Sequence, residues 1–125
     1  MVAAVSAEDM KERTKQFALH VIRLCRTLPK SSESTIIGRQ LMRSATSVGA
    51  NYRAVCRARS TPDFVSKLGV VLEEADESLF WIELLADTGV VPNEKIGRLK
   101  GEANELVAIF VTSLRTAKRS PKSEI

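Results

Sequence analysis

The sequence predicts an all-α protein, an antiparallel up-down-up-down four-helix bundle. Three observations carry that expectation. Four segments repeat apolar residues in steps of three and four, which marks one buried face on each of four helices. The segments are joined by short polar stretches holding Pro or Gly, as expected between antiparallel neighbours. The chain has 125 residues, 44% hydrophobic and 27% charged, which sets one soluble globular domain with a core of its own. The expected organisation is a single bundle over residues 1–118, with helices over about 6–28, 34–58, 62–87 and 93–118, and a flexible basic tail over 119–125.

Segment one carries the seam Met10, Thr14, Phe17, Val21, Leu24 and Leu28. Ser6 with Asp9 three residues on forms a weak capping box, and Pro29 stops the helix. Segment two begins at Ser34, the candidate N-cap. Its centre, GRQLMRSATSVGANYRA from Gly38 to Ala54, is rich in small, poor helix formers, so packing rather than local preference must hold it helical. Gly49 reads as a close-packing point. At 100° per residue, Ile37, Leu41, Val48, Tyr52 and Val55 fall within roughly 60° of one another. Across from them Arg39, Arg43, Arg53 and Arg57 span about 80°, with Thr46 and Ala50 between the two arginine pairs.

Segment three opens on Ser60-Thr61-Pro62-Asp63, a cap followed by Pro and an acid in the first turn, and Gly89 ends it. Phe64, Leu68, Val71, Leu72, Ala75, Leu79, Ile82 and Ala86 form its expected core seam. Val70, Trp81 and Leu84 lie apart from that seam, and a second apolar face is a candidate oligomer interface. Segment four starts near Pro92. Ile96, Leu99, Ala103, Leu106, Phe110, Ser113 and Ala117 make its seam, and Arg115, Lys118 and Arg119 sit in its last turn.

Charge separates by segment. Over residues 33–59 five arginines face one acid, Glu33, whereas segment three sets Lys67 against seven acids: Asp63, Glu73, Glu74, Asp76, Glu77, Glu83 and Asp87. The whole chain is at +4 with pI ≈ 9.3, which suits nucleic acid or an acidic partner without selecting one.

Enzyme chemistry finds little support. The single histidine, His20, lacks the Glu-x-x-His context of a di-metal bundle and reads as a helix-surface residue. Two cysteines and one histidine do not make a zinc site within one chain. The glycines form no phosphate loop, and the serines have no believable triad. No metal, cofactor or catalytic residue is expected. Cys25 and Cys56 should lie about 28 Å apart in the hairpin, so they read as reduced, buried thiols. No signal peptide or membrane span is legible, and no amphipathic segment is left over for a membrane surface. A cytoplasmic protein is expected.

IGRQLMRSATSVGANYRA, followed by Ala58, Ser60, Asp63-Phe64, Lys67-Leu68, Glu74-Ala75, Glu77 and Trp81, resembles a bacterial four-helix-bundle family. That family includes proteins encoded by intervening sequences within large-subunit (23S) ribosomal RNA genes. Phe17-Ala18, Leu28-Pro29 and Glu105-Leu106 extend the resemblance over nearly the whole chain. It implies a barrel-like homopentamer. The family is also similar to the accessory variability determinant of diversity-generating retroelements, a basic pentamer that binds nucleic acid and a reverse transcriptase. Ala54 departs from the pattern, standing where the family commonly has Glu.

Two readings of function follow. In the first, a non-enzymatic oligomer binds nucleic acid, RNA rather than DNA, with Arg39, Arg43, Arg53 and Arg57 on the phosphates. The absence of aromatics interleaved in the stripe argues against base stacking. In the second, the chain is a protein–protein adaptor or scaffold whose arginines pair with its own acidic helix. Partners are then other copies of the chain, RNA or DNA, or a protein such as a reverse transcriptase.

Overall fold

In a computed structural model, which describes residues 6–119, the chain forms four helices: α1 (Ala7–Arg26), α2 (Ser32–Val55), α3 (Thr61–Thr88) and α4 (Asn93–Arg119). Consecutive helices pack side by side and α1 closes the ring against α4, while the diagonal pairs make no close backbone approach. This is the expected up-down-up-down bundle. The tail expected over 119–125 lies outside the described residues from position 120 onward.

The helix ends follow from capping chemistry. The Ser6 hydroxyl accepts from the Asp9 N–H at 3.0 Å, and the Ser60 hydroxyl accepts from the Asp63 N–H at 3.1 Å. Gly89 ends α3 at φ 76°, the left-handed conformation that a Cβ disfavours. At α2 the N-cap is Ser31, not Ser34. The Ser31 hydroxyl accepts from the Ser34 N–H at 3.2 Å, and Ser34 is buried inside the first turn with its own hydroxyl unpaired. Ser31 and Ser34 are chemically equivalent candidates.

The core is aliphatic, with Phe17 and Phe110 as its large buried aromatics. The seams of α1 and α2 fall where expected, except that Leu28 and Tyr52 are only half-buried. In α4 Leu114 is buried, while Ser113 and Ala117 stay half-buried. The seam of α3 is rotated from the expected one. Leu68, Val71, Ala75, Ser78, Ile82 and Leu85 are buried, whereas Phe64, Leu72, Leu79 and Ala86 are half-buried. By helix geometry this turns the buried face about 40° toward α2. The cause is visible between the helices. The hydroxyls of Ser44 and Ser78 lie 2.9 Å apart in the buried α2–α3 contact, which small side chains allow. Each also reaches a carbonyl of its own helix, Leu41 O at 3.2 Å and Glu74 O at 2.9 Å.

Gly49 sets the α1–α2 approach. A Cβ there would stand 3.5 Å from the carbonyl oxygen of Thr14, in ordinary contact with the α1 backbone. Gly49→Ala should therefore keep the packing and gain helix propensity, raising stability by about 0.5–1 kcal/mol. Gly49→Leu should push the helices apart at a cost of about 1–3 kcal/mol. Urea midpoints followed by circular dichroism check both, and a destabilised alanine variant would contradict this packing.

Candidate functional site

The arginine stripe grows from the small residues of α2. With Ser44, Ala45 and Val48 turned inward, Arg39, Arg43 and Arg53 are carried on the outside of the helix, and Arg57 follows just past its end. All four are exposed. The structure divides them into two kinds.

Arg43 turns toward α3. Its Nη1 is 3.4 Å from Glu74 Oε1, its Nη2 donates to Glu77 Oε2, and its Nε lies 3.4 Å from Gln40 Oε1. Trp81 Nε1 donates to the same Glu77 oxygen at 3.0 Å. The indole hydrogen bond first, and the guanidinium second, hold the Glu77 carboxyl below its usual range. Arg43, Glu74, Glu77 and Trp81 thus form one network across the α2–α3 groove. The side chains of Arg39, Arg53 and Arg57 have no ion pair among the described residues. Arg39 and Arg53 are 14 residues apart, or about 21 Å along the axis, comparable with six nucleotide steps of a strand.

The three residues of the second apolar face of α3 are unequally exposed. Val70 is exposed, while Trp81 and Leu84 are half-buried against the core cluster. The more exposed large apolar residues are Phe80, at 52%, and Ile36 of α2, at 61%. The Phe80 ring meets Trp81 edge-on, with centroids 4.9 Å apart. Phe80 escaped sequence reasoning because it sits among Asp76, Glu83 and Asp87 on the polar side of the helical wheel.

The other reactive side chains have these surroundings. His20 is exposed and its Nδ1 pairs with Glu102 of α4 at 2.8 Å. Cys25 and Cys56 are free and half-buried. Burial pushes the Cys25 thiol up to about 11, so at neutral pH it is protonated and a poor nucleophile. It lies 3.6 Å from the Gly38 carbonyl, as the hairpin register requires. Burial, and then the neighbouring Cys56, push the Tyr52 phenol up to about 12. No helix among the described residues is long and apolar enough to cross a membrane, and no group of three His, Cys, Asp or Glu side chains among them could hold a metal.

The model of the 23S rRNA-intervening sequence protein family matches residues 8–112, which take in all of α2 and α3 and most of α1 and α4. The chain belongs to this family. A solved structure agrees: a protein of unknown function from the S23 ribosomal protein family of Bacteroides thetaiotaomicron VPI-5482. It is 28% identical, superposes with a TM-score of 0.79, and is matched over 87% of this chain and 97% of its own. A search of the curated proteins finds no match. The family model and the solved neighbour agree with the bundle, and the molecular role is left to the surface chemistry.

Proposed function

We propose that this family member is a non-enzymatic RNA-binding protein that grips the phosphate backbone through the free arginines of α2. The observation that carries the reading is the division of the stripe. Arg43 is neutralised by Glu74 and Glu77, while Arg39, Arg53 and Arg57 stay exposed and without acidic partners among the described residues. Guanidinium forks match phosphate oxygens. With no aromatic in the stripe, binding is backbone-dominated, weakly selective for sequence and strongly salt-dependent. The test is an RNA gel shift at rising salt with Arg39, Arg53 and Arg57 replaced together by Gln, alongside Arg43→Gln. Loss in the triple variant with retention in the single one supports the proposal. Absence of wild-type binding at low salt defeats it. The adaptor reading draws support from Arg43 alone, whose pairing with α3 is the internal contact that reading requires.

The second part of the proposal is assembly with other copies of the chain. Val70 and Phe80, beside half-buried Trp81 and Leu84, offer an apolar strip on an acidic helix, and the chain's remaining helices are net basic. Opposite charge favours copies docking in register, and a ring would repeat the arginine face and raise avidity. The number five rests on the family resemblance. Light scattering at micromolar concentration should give an oligomer, and Phe80→Glu should shift it to monomer. A wild-type monomer would refute this part.

A further inference from the structure

A second charged feature lies on a different face, between α1 and α4. These two helices make the least extensive contact of the neighbouring pairs, and a cleft of about 380 Å³ opens between the C-terminal half of α1 and the N-terminal half of α4. That volume is within the range of small-ligand sites. Leu24 and Leu99, both buried core residues, form its apolar floor. Arg23, Lys95 and Arg98 line it as well, all exposed and without an ion pair among the described residues.

The lining carries one carboxylate, Glu102, and it is already engaged: His20 Nδ1 lies 2.8 and 3.0 Å from its two oxygens. Counting His20 as neutral, three cations against one carboxylate leave the cleft at +2. Like charges gathered around a concavity repel one another, and an anion bound among them relieves that repulsion. Two of the three cations are arginines, whose planar forks suit phosphate oxygens. An apolar floor beneath a cationic rim matches a ligand with a flat apolar part and a phosphate.

We propose that the α1/α4 cleft binds a phosphate ester of mononucleotide size. The phosphate meets Arg23, Lys95 and Arg98, and the nucleoside lies over Leu24 and Leu99. The shared chemistry has two sources, a free nucleotide or one nucleotide unit of an RNA strand, and the site stands apart from the arginines of α2.

The test uses the full chain, wild type and an Arg23→Gln/Arg98→Gln variant. Both positions are exposed, so the core is left intact. Adenosine monophosphate and inorganic phosphate are titrated by calorimetry, and a labelled single-stranded RNA by fluorescence anisotropy. A free-nucleotide site predicts that adenosine monophosphate binds the wild type and that its affinity falls at least tenfold in the variant, with inorganic phosphate weaker than the nucleotide. Replacing Arg39, Arg53 and Arg57 should leave that binding unchanged, which separates this site from the α2 face. An RNA source predicts no measurable mononucleotide binding but at least a fivefold loss of RNA affinity in the same variant. The proposal is overturned if the variant binds both nucleotide and RNA as the wild type does, or if neither probe binds the wild type.

Discussion

Truncating Phe110 to alanine is expected to destabilise the protein by about 3–5 kcal/mol. Phe110 is 1% exposed and sits in the α4 seam between Leu106 and Leu114. Its ring faces Tyr52 of α2 across the bundle, with centroids 6.0 Å apart. That contact spans the diagonal that the helix backbones do not. Removing the ring opens a cavity between helices already held at fixed distances by Gly49 against α1 and by Ser44 against Ser78 of α3, so collapse around it is limited. Domains of this size are stable by only about 5–15 kcal/mol, so this loss removes a large share. Urea unfolding followed by circular dichroism measures it. A loss below about 1 kcal/mol would mean that α4 packs with a different face inward.

Replacing Arg39, Arg53 and Arg57 together by glutamine is expected to weaken RNA binding about 10- to 100-fold at low salt. Each exposed guanidinium–phosphate contact contributes modestly, about 0.5–1 kcal/mol, and three removed together reach that range. Arg43→Gln should change RNA affinity far less, because that guanidinium is already held by Glu74 and Glu77. Its effect falls on the α2–α3 groove, where Glu77 loses one of its two partners and keeps the Trp81 indole. If the single and triple variants lost RNA affinity equally, the distinction between a free and an engaged arginine would be without functional meaning.

Much of the bundle is legible in the sequence because its determinants are local. The α1 seam from Met10 to Leu24 is a strict step pattern, Ser6 and Ser60 are caps with their acids in place, and Gly89 is the residue type a left-handed stop requires. What escapes the sequence depends on how helices meet. The rotation of α3 follows from the contact of Ser78 with Ser44, two small polar residues that no apolar period selects. Phe80 is flanked by acids, so its exposed ring looks like an interruption of a polar face. The four arginines share one side of α2, but which of them meets an acid is set by the antiparallel register, which brings Glu74 and Glu77 level with Arg43 alone. The α1/α4 cleft is likewise invisible in one dimension, since Arg23 and Arg98 are distant in sequence and share a site only once α1 and α4 close the ring.

The central claim is that the free arginines of α2 meet phosphate, and the salt dependence of RNA binding tests it most directly. The affinity of the wild type for a single-stranded RNA, measured from about 50 to 200 mM salt, should fall with a log–log slope of about −2 or steeper, as three neutralised phosphates require. In the Arg39, Arg53, Arg57 triple glutamine variant the slope should become shallower by about 2. An unchanged slope in that variant, or no binding by the wild type at the lowest salt, would contradict the account.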